Sequence, residues 1–382
     1  MRDSKKILLI VGIILVFVTT LLIASQNLSV QGKKNLRSAN MHLGGKRYEK
    51  AMPLYEEVLA ENPDQLDALN NVAAIYYDTK KDYPKAREYF IRLIDVINGI
   101  YAEYESINET DEKAGKKFFK DNIKKPKLNE LLESCEQFRD NCFTQMVNSG
   151  KIKIQSEEYN EAIEIFSNIA EIVPDSTITY RLIALCYEKL DDMENSRNFF
   201  IKTAELDSTD MYAKQQVAIL YFNEENYIEA GNWYMEAAKN DPENPDNYYN
   251  AGIAFNNGKK DSLAYDAFKK ALEFDLENLN TLVTLSNIAL SLKDNDASTI
   301  YLQKAVDLDA ADGTIDNPIY VTTLCYKFYG LKKYEELIKY AEMWHELESN
   351  SKEAVQMLYN ASKELNNKEL MDKYNKMYQS MQ

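Results

Sequence analysis

Turn-forming residues are scarce in this chain. It has 12 glycines and 8 prolines in 382 residues, roughly 5% against a usual ~12%. So few breakers argue against an all-β fold, which needs a tight turn every few residues. Histidine is rarer still, with only His42 and His345, so histidine acid–base chemistry and histidine-ligated metals have little to work with. The four cysteines, at 135, 142, 186 and 325, form no C-x-x-C pair, which excludes a disulfide scaffold and the usual zinc spacing. On a helix Cys135 and Cys142 would lie ~10 Å apart, too far for a bridge. Basic charge is in the minority, 45 residues against 61 acidic ones for a net −16. Such a surface repels polyanions and makes nucleic acid an unexpected main partner. Phosphate-loop, nucleophile-elbow, zincin and dinucleotide motifs are all missing from the sequence, so neither a cofactor nor catalysis is expected.

One long apolar run is present. Ile7 to Ala24 carries no charge over 18 residues and would span ~27 Å as a helix, close to the hydrocarbon core of a bilayer. Arg2, Lys5 and Lys6 precede it, as in a signal n-region. The run exceeds an ordinary signal core, and Leu22 spoils a small-x-small cleavage site before Ala24. Residues 1–30 therefore read as an uncleaved anchor with a short linker, the alternative being a cleaved signal and a secreted chain. The flanking charges tie under the positive-inside rule. Those on the N-terminal side stand closer to the run, which favours an extracytoplasmic body over a cytoplasmic one.

Beyond the run the sequence repeats. Small residues stand at Ala162, Ser196, Ala230, Ala264 and Ser298, 34 apart each time. Twelve residues before each is another small one: Gly150, Ala184, Ala218, Gly252 and Ser286. An aromatic precedes the later small residue by three in Tyr48/Ala51, Tyr83/Ala86, Tyr159/Ala162 and Tyr227/Ala230. Pro63, Pro174 and Pro242 close three units, where proline stops a helix. Each unit reads as two antiparallel helices, A and B, whose small residues allow a close crossing.

This pattern resembles the tetratricopeptide repeat family over 32–382. The resemblance implies an all-α, right-handed superhelical solenoid of about eight or nine helix pairs after the N-terminal segment. Units begin near 32, 66, 143, 177, 211, 245, 279 and 318, with a capping pair at about 352–380. It further implies that helix A lines a concave groove. By that register the groove carries Asn71, Asn148, Tyr212, Gln216, Tyr249, Asn250, Asn256, Asn257 and Asn287, with Asn70, Tyr77 and Asp78 in the second unit. Amides that both donate and accept suit an extended peptide or a partner helix. The residues do not match the carboxylate clamp of chaperone-binding members. Asn71, Asn148 and Asn250 share one position, a broken version of an asparagine ladder.

One stretch departs from the period. Ala86 and Ala162 are 76 residues apart, two periods plus eight. Apolar positions at helical spacing on both sides predict a lengthened helical hairpin over about 98–142. Its tip is lysine-rich, with Lys116, Lys117, Lys120, Lys124 and Lys125. That stretch reads either as a solvated loop or as a contact for an acidic partner or anionic lipid.

The sequence thus predicts a membrane-tethered protein–protein interaction scaffold that binds a protein or peptide client in its groove. The alternative is an accessory subunit of a cell-envelope enzyme, secretion or transport complex. Self-association through an exposed repeat end is compatible with either.

Overall fold

A computed structural model describes residues 28–124, 126–311 and 317–381. The apolar run 7–24 lies outside them. Among the described residues no helix is long and apolar enough to cross a membrane, and all regular structure is helical. The chain divides into two compact units, one up to Leu190 and one from Asp191.

The first unit contains α1 (Val30–Gly44), α2 (Tyr48–Glu61), α3 (Leu66–Ala74), α4 (Tyr83–Thr110), α5 (Glu112–Phe118), α6 (Leu128–Gln155), α7 (Tyr159–Ile172) and α8 (Thr177–Lys189). A π-helical segment, Ile75–Lys80, continues α3, and another, Phe119–Lys124, continues α5. The second unit contains α9 (Met193–Leu206), α10 (Met211–Asn223), α11 (Tyr227–Ala238), α12 (Pro245–Asn257), α13 (Asp261–Phe274), α14 (Leu279–Ser291), α15 (Asn295–Asp309), α16 (Pro318–Gly330), α17 (Tyr334–Leu347), α18 (Lys352–Glu364) and α19 (Lys368–Ser380). Within each unit, helices consecutive in the chain pack on one another, as a solenoid requires.

Local chemistry explains the helix bounds. Polar side chains cap the A helices by accepting a backbone N–H of the first turn: Gln65 from Ala68, Ser176 from Thr179, Asp210 from Ala213, Asn278 from Thr281 and Ser351 from Ala354. Pro245 and Pro318 stand in the first turns of α12 and α16, where no N–H is needed. The turns from A to B need one left-handed residue each. Lys46, Lys81, Glu157, Asp191, Glu225, Lys259, Lys293, Lys332 and Asn366 supply it, with φ between 54° and 64°. All but Asp191 and Asn366 are lysines or glutamates, whose side chains disfavour this conformation. Lys259→Gly is therefore expected to raise unfolding stability by ~0.5–1 kcal/mol in urea titration. An unchanged midpoint would mean that the Lys259 side chain offsets its own backbone strain.

The small residues mark close crossings. A Cβ on Gly150 would lie 2.5 Å from the Phe166 ring, and one on Gly252 would lie 2.8 Å from Phe268. Ser286 and Ser298 mark an equivalent crossing between α14 and α15. Each hydroxyl donates to the other residue's backbone carbonyl at 2.7 Å, and Lys327 Nζ donates to Ser298 Oγ at 2.8 Å. Ser196 is equally buried, but among the described residues its hydroxyl has no partner. Ser298→Ala is expected to cost ~1–2 kcal/mol, because it removes the acceptor of the half-buried Lys327 ammonium and the bond to the Ser286 carbonyl, while Ser196→Ala is expected to be neutral or stabilising. Parallel urea curves of the two variants check the contrast, and equal losses would refute it.

All four cysteines are buried. Burial pushes the thiols of Cys135, Cys142 and Cys325 up to about 12 and that of Cys186 up to about 11. They behave as core residues, and the native fold holds negligible thiolate at neutral pH.

Candidate partner-binding face

The stretch expected as a lengthened hairpin over about 98–142 has a different end from the sequence expectation. Helices α4 and α6 each run 28 residues and pack along each other. Phe90 stacks on Phe138 at 5.5 Å, and the Tyr101 hydroxyl bonds Asn129. Arg92 donates to the Pro63 carbonyl at 3.1 Å, and nearby Glu61 binds Ser29, before α1. Ile97 is the last buried residue of α4, and the helix runs on from there to Thr110. The residues after Thr110 are not a loop. They fold back as α5 and its π-helical extension, with Gly115 against Asn108 and Phe119 against Tyr104. Ile123 and Leu128 join the core.

This return corrects the charge picture. The outermost residues include the acidic Asp111 and Glu112. Lys116, Lys117, Lys120 and Lys124 are exposed along the returning helix instead, and Lys116 already pairs with Glu112 at 2.5 Å. Lys125 lies outside the described residues.

The groove residues scatter in environment. Asn71 is fully buried. Its amide donates to Tyr55 Oη at 2.9 Å and Asn40 Oδ1 at 3.2 Å, while Tyr55 donates to Asn40 at 2.6 Å. It is a core residue and cannot touch a client, contrary to the register-based expectation, so the ladder loses a member. Asn148, at the same register position, is exposed on α6, and Asn250 is half-buried on α12. Tyr249 packs edge-on against Phe268 at 5.5 Å and belongs to the core margin. Gln216 is half-buried; Tyr212, Asn256, Asn257 and Asn287 are exposed. The amides are also not alone. Ile219 on α10, Leu290 on α14 and Ile319, Tyr326 and Tyr329 on α16 are exposed on A helices. The A-helix surface of the second unit is therefore more apolar than an amide-rich groove. The sequence signal was available, since these residues lie at positions that the repeat does not need for its own core.

One pocket stands out in the first unit. It lies between consecutive A helices, α3 with its π turn and α6, with Phe90 of α4 at its base. Asn70, Ala74, Tyr77, Asp78, Leu131, Ser134, Cys135 and Phe138 complete it around a cavity of only ~20 Å³, room for about one water molecule. Sequence register placed Asn70, Tyr77 and Asp78 toward the groove but did not reveal the wall that the lengthened α6 supplies.

The nearest approach to a catalytic constellation is Lys327 with Ser298. Desolvation lowers the Lys327 pKa, as a serine–lysine pair would require. Ser298, however, is completely buried and its hydroxyl is spent on the Ser286 carbonyl, so no substrate reaches it. Among the described residues no cluster of three His, Cys, Asp or Glu side chains could hold a metal.

Residues 42–101 and 279–312 match models of the tetratricopeptide repeat. The chain carries tetratricopeptide repeats. A TPR repeat-containing protein of Methanocaldococcus jannaschii is 26% identical over 136 residues, which cover 35% of this chain and 24% of that protein. The chain thus spans about a quarter of the length of the curated relative it matches. MamA of Desulfovibrio magneticus RS-1 is a similar solved structure at 15% identity and TM-score 0.35, covering 45% of this chain and 97% of that one. YrrB, described as a TPR protein with an unusual peptide-binding site, is similar at 18% identity and TM-score 0.35, covering 55% and 97%. Likeness at this level carries no argument about partners.

Proposed function

We propose that this protein is a membrane-tethered scaffold that captures a protein or peptide client on the A-helix face of its repeats and has no catalysis of its own. The observation that carries the reading is the exposed mixture of Tyr212, Ile219, Asn256, Asn287, Leu290 and Tyr326 on successive A helices. Large apolar side chains held outward by a rigid frame lose little entropy on binding. Neighbouring amides pair with a client backbone whatever its sequence. The tether rests on the composition of Ile7 to Ala24, with the repeats on the extracytoplasmic side. Alpha solenoids that bind peptides work by display, and an anchor at one end fixes where the display occurs.

The test is affinity capture from detergent-solubilised membranes, followed by titration of each captured protein against the purified full chain. The triple variant Asn256→Ala, Asn287→Ala, Leu290→Ala changes only exposed side chains, so its melting curve should match the native one. Its affinity for a client of the A-helix face should fall ~10-fold or more. A client that binds both chains equally would move the site off this face. Flotation of the full chain with neutral vesicles tests the tether separately, and a chain that stays at the bottom of the gradient refutes it.

A further inference from the structure

The chain enters the first unit on the same side from which α4 leaves it. Glu61, at the end of α2, binds Ser29 just before α1, and Arg92 of α4 donates to the nearby Pro63 carbonyl at 3.1 Å. Helices α2 and α4 run in the same direction, because each packs on α3, which runs back between them. Where α2 stops, α4 continues. Past Ile97, its last buried residue, it runs 13 more residues to Thr110, ~20 Å of helix. Helix α5 and the π-helical segment Phe119–Lys124 then fold back on this extension, with Gly115 against Asn108 and Phe119 on Tyr104 at 5.3 Å.

The returning segment has two faces. Gly115 and Ile123 are buried, and Phe118 and Asn122 half-buried, on its inner side. Lys113, Lys117, Lys120 and Lys124 recur at i, i+4, i+7 and i+11, one stripe of a helix turned away from that side, and all four are exposed. Glu112 pairs with Lys116 and Glu130 with Lys127, but among the described residues no carboxylate pairs with the four lysines of the stripe. Residues 113–127 hold seven lysines and one acid, Asp121, in a chain of net charge −16. Glu103, Glu105 and Glu109 of α4 leave that helix about a quarter-turn or more from the Tyr104–Asn108 line on which the segment packs, so they do not lie over the stripe.

We propose that this lysine stripe is a contact for an anionic bilayer surface, the second attachment point of a chain whose first is the apolar run Ile7 to Ala24. The proposal rests on the tether in the reading above. Five residues, Ser25 to Ser29, separate that run from α1, a reach of at most ~17 Å. The extension of α4 is at least as long, so it cannot stand upright between the repeats and the headgroups and lies along them on one of its sides. The side with unpaired positive charge is the one that anionic headgroups attract, over about a Debye length of ~8 Å. An acidic protein fits less well, because nothing places one beside the stripe, whereas the tether brings a bilayer to it. The second contact orients the array. One flexible linker alone lets the repeats turn freely, while two points fix the direction in which the A helices of the first unit face.

The test uses the full chain with Ala114→Cys, an exposed position beside the stripe, carrying an environment-sensitive dye. The four native thiols are buried and stay unlabelled. The chain is reconstituted into vesicles of phosphatidylcholine alone and into vesicles of phosphatidylcholine mixed with phosphatidylglycerol, and quenching of the dye by acrylamide is measured. Quenching should be ~5-fold weaker on the anionic vesicles, and high salt should abolish the difference. The combined variant Lys113→Gln, Lys117→Gln, Lys120→Gln, Lys124→Gln should melt like the native chain, insert equally well and lose the protection. A dye equally exposed on both vesicles, or protection that survives in the glutamine variant, would overturn the contact while leaving the tether standing. Protection by soluble polyglutamate but not by anionic vesicles would assign the stripe to an acidic protein and equally overturn it. A chain that fails to insert into neutral vesicles would refute the tether, and the contact would fall with it, since the short linker is what brings the stripe to the surface.

Discussion

Phe328→Ala is expected to open the C-terminal part of the second unit and to make Cys325 reactive. Phe328 is 1% exposed, and its ring stacks on Tyr340 at 5.5 Å. It sits in one cluster with Leu302, Val321, Leu324, Cys325, Leu337 and Trp344. Truncating a buried phenylalanine costs ~3–5 kcal/mol, from lost transfer energy and the cavity left behind. In a linear array that loss is felt by the repeat and its neighbours rather than shared over the whole molecule. The opened population should therefore rise by roughly two to four powers of ten. Cys325 reports it directly, because its thiol is buried and pushed up to about 12 in the native fold. Pulsed labelling at pH 8 should find all four thiols silent in the native protein and Cys325 labelling at least ~100-fold faster in the variant. Cys135 and Cys142 lie in the core of the first unit and should be unaffected. Unchanged labelling of Cys325 would mean that the site collapses around the missing ring. Equal acceleration of Cys135 would show that both units open as one.

The second large effect concerns the helix crossing at Gly252. Leucine there is expected to destabilise the second unit by ~3 kcal/mol, because its branched side chain would occupy the space of the Phe268 ring. Phe268 is itself 1% exposed and flanked by Ala264, Ala267 and Leu285, so the ring has nowhere to retreat. Gly252→Ala should be milder but still costly, ~1–2 kcal/mol, since its Cβ would stand 2.8 Å from the Phe268 ring and a better helix former offsets only part of that strain. The neighbouring unit supports this, carrying Ala218 at the equivalent position twelve residues before Ala230. Urea titrations of the two variants at one wavelength decide it. If both lose the same amount, the close approach is not what requires a small residue there, and backbone flexibility would be the better explanation.

Much of the helix pattern was legible in the sequence. The spacing of small residues places unit starts at 66, 177, 211, 245, 279 and 318, and helices begin at Leu66, Thr177, Met211, Pro245, Leu279 and Pro318. The reason is that the controlling signals are local. A capping oxygen acts within three residues, and a proline acts on its own turn. The crossing of A and B is decided twelve residues apart, inside one unit. The 35-residue step from Tyr48 to Tyr83 was equally visible, although its consequence, a π turn, depends on where the helix can absorb a residue against its neighbours.

The candidate site was less legible, and Asn71, Asn148 and Asn250 show why. They share a register position, yet one is buried, one exposed and one half-buried. Register decides which way a side chain leaves its own helix. Whether it meets solvent depends on residues from other helices, here Asn40 and Tyr55, 31 and 16 positions away from Asn71. The lysine-rich stretch tells the same story, since its composition could not reveal that α5 folds back along α4 and leaves Asp111 and Glu112 outermost. What the sequence by itself determined was the helices, their order and their repeat, because those follow from short-range capping and packing. Only the tertiary structure decided which polar residues face outward and where a pocket forms, because each depends on contacts between helices whose separation in the chain carries no periodic signal.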